Sequence, residues 1–396
     1  MAAGGPVSRT IRWAHVQAAE RPAGQFHGGP VLGDDPESML LRHNRSGQVV
    51  DHFAPAPRDP VILRGSYAYL GRTFGHFGHI MSEMIHRILP SRQVAKRPHW
   101  LIVHQRGSPP TFEALAPVAQ AMLRLLGVNE RNCTVIAKDT IVEELLIVEA
   151  GAELGSVPKD WYLDLLNRRG PGRGPLDDTF PKKVYVSRSG LEDKSGLLGE
   201  KVLESILVDA GFHIMHSEKL PLPRQFALYR NAEVLLFAEG SACHGVELFG
   251  HDTLRHAILM NRRPKVATAF DRVLAPRARR FDHFTGNPFF GTAAFNGRGD
   301  PRADRGVSAI ALHDLVAFLA EIGVATVPRV PALAYLAAAH ADLTLYTDRA
   351  TAVTRRLQPE LLPKQLALVE RLHDVFTASV QAGARIGPVP RHPMPA

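Results

Sequence analysis

Only two cysteines, Cys133 and Cys243, occur in 396 residues. Two thiols cannot build a disulfide framework, so a reducing compartment is expected, and each cysteine reads as a small buried hydrophobe. No stretch reaches ~18 uncharged apolar residues, so no membrane-spanning helix is expected. The first 24 residues carry arginines but no apolar core, so no secretory leader is expected either. Zinc-type cysteine spacing, HExxH, a Walker A sequence, a GxSxG elbow and a GxGxxG turn after a strand are all missing. No Asp-x-Asp occurs. These absences leave no motif that would hold a metal or a cofactor, and none is expected. They also favour protein groups alone, rather than a metal, as the holders of any phosphorylated ligand.

What is present suits a globular chain, with 45% hydrophobic and 22% charged residues. Its length points to two domains with large cores. The net charge of +8 suggests an anionic partner: a sugar nucleotide, a lipid headgroup or a nucleic acid. The excess is local, since Arg255, Arg262, Arg263, Lys265, Arg272, Arg277, Arg279 and Arg280 are opposed within their span only by Asp271. A solvated basic face explains that span equally well. No RNP-like or helix-turn-helix signature accompanies it, so no nucleic acid is expected.

Residues 1–60 are rich in Gly and Pro and read as an irregular lead-in with one or two strands. Residues 61–168 alternate strands and helices: a strand from Val61, a helix Gly78–Leu89 stopped by Pro90, a strand from Trp100, a helix Phe112–Leu126 and a strand at Thr134. The run Arg168–Pro175 can form neither helix nor strand, which places a linker at 169–182. A second alternation occupies 183–330, with strands at 184–188, 213–216, 234–238 and 257–260 and helices at 199–210, 223–231 and 242–249. Units of roughly 20 to 30 residues suit right-handed βαβ crossovers. Residues 265–308 read as irregular. Helices over 309–322 and 359–382 are expected, with 331–396 a helical extension. The fold class is therefore α/β with parallel sheets.

Ligands in open parallel sheets bind beyond the carboxyl ends of the strands. Arg188 follows one such strand and Gly240-Ser241 another, where Gly240 admits close backbone approach and a helix start favours phosphate. In the earlier helix, His79, Glu83 and Arg87 are four residues apart and share one face, beside an apolar stripe of Ile80, Met84 and Ile88. His and Glu are the usual general bases, and His76 and His86 make this segment rich in imidazole. An exposed ladder of ion pairs is the bland alternative. A hydrolase using Ser241 or Cys243 near His244, with Glu247 as its acid, is a further alternative.

The motif Phe77-Gly78-His79 through Glu83 and Arg87 resembles the aromatic-Gly-His…Asp/Glu…Arg helix of glycosyltransferase family 61. The span Lys183–Pro264 is similar to that family's C-terminal block, through Val186-Ser187-Arg188, Glu200, the Glu218-Leu220-Gln225 step, and Asn231-Ala232-Glu233-Val234 leading into a Gly-rich turn. Two departures stand out. Glu239-Gly240-Ser241 replaces the His-Gly-Ala of many members, and Gly199-Glu200 replaces a common Asn-Glu pair.

The resemblance implies a GT-B-like architecture of two Rossmann-like parallel-sheet domains facing a cleft, with C-terminal helices. It implies an inverting, metal-independent transferase that uses a nucleotide-sugar donor and a saccharide or lipid-linked acceptor, with a role in bacterial surface polysaccharide biosynthesis. Glu83 or His79 would be the base. Arg87, Ser187, Arg188 and Glu218 would contact substrate, as would Glu239, Gly240, Ser241 and His244. A cytoplasmic location, with peripheral contact at the inner membrane through the basic span, completes the expectation. The rival is a non-catalytic nucleotide- or carbohydrate-binding module.

Overall fold

The computed structural model describes residues 5–56, 59–191, 195–263, 268–327 and 330–385. Lys265 of the basic span lies outside the described residues. The chain divides into two compact units. The first comprises Met1–Pro175, Cys243–Thr253 and Thr268–Arg279, and the second comprises Leu176–Ala242, Leu254–Ala267 and Arg280–Ala396.

The first unit is built on a 7-stranded sheet of β1 (Ser8–Glu20), β2 (Phe26–Pro30), β3 (Asp51–His52), β4 (Val61–Arg72), β5 (Trp100–Val103), β6 (Cys133–Ile136) and β7 (Thr140–Val148), in the order β3-β2-β1-β7-β4-β5-β6. Strand β4 pairs in parallel with β5 and β7, and β5 with β6, whereas β1 runs antiparallel to β2 and β7. The sheet is thus mixed rather than parallel. The lead-in expected to be irregular supplies β1, β2 and β3. The inner half of β1 buries Ala14, Val16 and Ala19 against Leu101, Val103, Ile136 and Leu145. Its outer half is largely exposed, so the whole strand lacks the alternation that marks a strand in sequence.

The second unit carries a 5-stranded sheet of β8 (Lys183–Ser187), β9 (His213–His216), β10 (Val234–Ala238), β11 (Leu254–Met260) and β12 (Ala278–Phe284), in the order β9-β8-β10-β11-β12. Pairings β8–β9, β8–β10 and β10–β11 are all parallel. Tyr185, Leu236 and Ile258 from the sheet pack with Leu203, Ile206 and Phe212 in one core. The chain leaves β8 toward β9 and returns past it to β10, so the strand order reverses between β8 and β10. Their carboxyl ends flank the crevice where open α/β sheets hold ligands.

Three further differences from expectation concern helices. Residues 265–308, read as irregular, contain the helix Thr268–Leu274, β12 and a ladder pairing Phe289–Gly291 with Val307–Ala309. The helix expected at 242–249 is a 3-10 segment, Ser241–Val246. The C-terminal region holds Leu312–Glu321, Leu362–Arg385 and the additional 26-residue helix Ala332–Leu357. No helix among the described residues is long and apolar enough to cross a membrane.

Candidate functional site

The helix expected at Gly78–Leu89 is composite. An α turn at Phe77–His79 passes into a π-helical segment Ile80–Met84, a 3-10 turn Ile85–Arg87 and an α-helix Ile88–Val94. Pro90 does not stop it, because it falls in the first turn of the last segment, where its missing N–H is no loss. π-helical turns are rare and concentrate at functional sites. Each change of helical type alters the rotation per residue, so the uniform i,i+4 stripe drawn from the sequence holds only in part.

The part that holds is His79 and Glu83. His79 Nδ1 lies 2.6 Å from Glu83 Oε1. The Glu83 carboxylate, whose side chain is fully buried, also accepts from Arg45 Nε at 2.6 Å and Nη2 at 2.7 Å, and meets His43 Nε2 at 2.8 Å. Burial alone would raise the Glu83 carboxyl, but hydrogen bonds from His43, His79 and Arg45 outweigh it and hold it well below the usual carboxylate range. The ionised carboxylate makes Nδ1 of His79 the protonated nitrogen and leaves Nε2 as the basic one. Nε2 has no hydrogen-bond partner among the described residues, and the imidazole is 41% exposed. Phe74 stacks on the ring at 5.6 Å and His76 meets it edge-on at 5.8 Å.

Arg87 does not join them. Its Nε donates to the Val148 carbonyl and its Nη2 to those of Leu41 and Arg42, and it is buried over the Tyr69 ring. It braces the lead-in against the sheet and, with His43, Glu83 and Lys159, lines a pocket in the first unit.

The segment Cys243–Thr253 packs in the first unit. There His244 Nδ1 meets Glu247 Oε1 at 2.6 Å. Glu247 Oε2 lies 3.0 Å from His86 Nε2, too poorly aligned for an ordinary hydrogen bond, and His86 Nδ1 faces the Tyr162 hydroxyl at 3.1 Å. His244 is thus assigned to the first unit, while Gly240 and Ser241 belong to the second. Cys243 is fully buried.

In the second unit the carboxyl ends of β8, β10 and β11 bring Arg188, Gly240 and Arg262 to one end of the sheet. The Arg188 guanidinium lies against Gly240, and a methyl group there would overlap its Nη1. Other expected ligands are occupied internally. Ser187 Oγ donates its one proton to Glu204 Oε1 at 2.5 Å and also lies 3.1 Å from Glu200 Oε1. Glu239 Oε2 accepts from the backbone N–H groups of Arg262 and Arg263, both at 2.8 Å, and Oε1 from Arg263 Nε at 2.6 Å. Both brace the chain where it leaves the sheet end. Glu218 sits in the 3-10 turn Ser217–Lys219 after β9, with Oε1 3.8 Å from His216 Nδ1. Glu200, pushed up by burial, accepts from Tyr185 Oη and the Arg188 backbone N–H.

Residues 77–253 match the family model described as Glycosyltransferase 61. The chain is similar to that family over this span, which is less than half of its length. No curated protein sequence matches the chain. The Glycosyltransferase 61 match begins two residues before His79 and takes in Glu83, Arg188, Gly240, Ser241 and His244. It leaves out His43, Arg45 and Arg262, which the sequence reading also missed as site residues. Nothing in sequence links His43 and Arg45 to Glu83, since the contact is made by a short strand pair, Asn44–Arg45 with Gln48–Val49, in a segment read as irregular. Arg262 was visible only as one of eight basic residues. The others are largely absorbed by the protein: Arg255 meets Glu233, Arg263 meets Glu239, Arg280 meets Asp282, and buried Arg277 donates to three backbone carbonyls.

Proposed function

We propose that the protein is an inverting glycosyltransferase that takes a sugar from a nucleotide-sugar donor without a metal. The family match supports the reaction class. The observation that carries the chemistry is the His79–Glu83 pair, with Nδ1 held at 2.6 Å and Nε2 free. Of the two bases considered, His79 suits the role. Glu83, held ionised by three partners, is a poor proton acceptor near neutral pH and serves to orient the imidazole and stabilise its cation. The acceptor hydroxyl oxygen attacks the anomeric carbon as its proton passes to His79 Nε2. The bond to the diphosphate oxygen breaks on the opposite face, and the diphosphate leaves with the electron pair.

Arg188, seated on Gly240 at the switch point between β8 and β10, stabilises the charge developing on that leaving group. Ser241 and His244 are proposed as further substrate contacts. A GT-B-like architecture, a saccharide or lipid-linked acceptor, a role in surface polysaccharide biosynthesis, and a cytoplasmic site of action with inner-membrane contact belong to the same proposal.

Turnover tests it. The full chain is incubated with a panel of nucleotide sugars, with and without a chelator, and nucleoside diphosphate release is measured. Release from one donor, unaffected by chelator and accelerated by saccharide, is expected. Binding of a donor without release under any condition would show a binding module instead.

A further inference from the structure

The second unit buries two guanidinium groups that have no carboxylate within ion-pairing distance among the described residues. Arg188 is 8% exposed and Arg262 4%. Arg188 Nη2 donates to the Ser195 carbonyl at 2.9 Å and Arg262 Nη1 to that of Gly306 at 2.6 Å. Both Nε atoms are sealed from solvent and unpartnered. Arg188 Nη1 and Arg262 Nη2 donate to nothing among the described residues and are not sealed in this way. The nearby acids are committed elsewhere: Glu239 to Arg263, Asp304 to Arg302, and Glu200 to the Arg188 backbone N–H rather than to its guanidinium. The Arg262 backbone N–H is held 2.8 Å from the carboxylate of Glu239, the residue before the Gly240 on which Arg188 is seated. Burial first, and then the charge of Arg188, depress Arg262 to about 10. Two like charges held together under burial are costly unless an anion joins them. They follow β8 and β11, the two parallel strands that flank β10 and its Gly240, at the sheet end where ligands bind.

We propose that Arg262 is the second guanidinium of a diphosphate site, sharing one bound diphosphate with Arg188, so that the unit selects nucleoside diphosphate donors over monophosphate ones. The inference rests on the donor reading above and adds to it a residue outside the family match. Each guanidinium offers one open terminal nitrogen to a phosphoryl group while its other stays on a backbone carbonyl, a pair of fixed contacts that a single lysine ammonium does not reproduce. The Glu239–Arg263 pair holds the turn after β11 in place, so that Arg262 is presented while its neighbour is neutralised.

Calorimetry with inorganic pyrophosphate and orthophosphate, followed by nucleoside di- and monophosphates, on full-length wild type, Arg262→Gln and Arg262→Lys tests it. Wild type should prefer pyrophosphate to orthophosphate. Arg262→Gln should weaken pyrophosphate roughly ten- to a hundredfold and bring the two anions close to parity. Arg262→Lys keeps a donor for the Gly306 carbonyl, so it decides the matter should Arg262→Gln fail to fold, and it should recover only part of the loss. Equal pyrophosphate affinity in wild type and variants, or no preference in wild type, overturns the proposal. Nucleoside diphosphate bound equally by wild type and variants sinks the role of Arg262 and leaves the donor reading intact. Pyrophosphate bound through Arg262 with no nucleotide bound upholds the anion site and sinks the donor reading.

Discussion

Glu83 is a carboxylate surrounded by donors. A buried carboxyl would ordinarily be driven toward its neutral form, yet the two bonds from Arg45 and the contacts with His43 and His79 reverse that tendency. The same arrangement makes it a structural keystone, because removing its charge leaves the Arg45 guanidinium without a carboxylate. Glu83→Gln is expected to cost about 2 kcal/mol of stability, discounted from a fully buried pair because Arg45 is partly exposed. Thermal melts of wild type and variant check this. His79→Ala, at a half-exposed imidazole, should leave the melt nearly unchanged. A loss of the same size in both variants would mean that the pair acts only as packing.

At the scale of elements, the strand ends of the second unit carry the donor argument. Gly240→Ala places a methyl group where Arg188 Nη1 now lies. The guanidinium must move, and nucleoside diphosphate affinity should fall by about tenfold or more. The double variant Gly240→Ala with Arg188→Ala should bind no more weakly than Arg188→Ala alone, because both changes act on one group. Independent, additive losses would show that Gly240 and Arg188 serve different contacts.

Strands β8 to β11 were readable in the sequence because short apolar runs recur at the spacing of βαβ units, and buried parallel strands have that signature. Arg188 and Gly240 followed from their places at two of those strand ends. Other elements were hidden for identifiable reasons. Strand β1 is half exposed, and the helix Ala332–Leu357 buries a narrow stripe of Tyr335, Ala339, Leu343, Thr347 and Thr354, too small and polar to stand out. The fate of Arg87 depended on the π and 3-10 turns preceding it, which residue spacing does not reveal. The start at Ser241 is a 3-10 segment, so the anion site leans on arginine side chains more than on a helix dipole.

On the scale of the whole molecule, buried charge couples stability to pH. Burial would raise Glu247, but the hydrogen bond with His244 and the close approach of the His86 imidazole overcome it and hold the carboxyl at about 2. A depressed carboxyl contributes stability in full above its unfolded value of about 4.3, and loses that contribution as pH falls through its folded value. Glu83 acts in the same direction. Wild type should therefore lose stability steeply between about pH 4 and 2, and Glu247→Gln should show a flatter decline over that interval. Parallel melting profiles for the two proteins from pH 5 to 2 would contradict the coupling.

The central claim is that His79 takes a proton from an acceptor hydroxyl while a sugar leaves a nucleoside diphosphate. The direct measurement is release of nucleoside diphosphate from the donor that wild type uses, with saccharide acceptor present, compared with His79→Ala under the same conditions. Release should fall by ~10² or more in His79→Ala while calorimetry returns unchanged nucleoside diphosphate affinity. Release at the wild-type rate from His79→Ala would contradict the account.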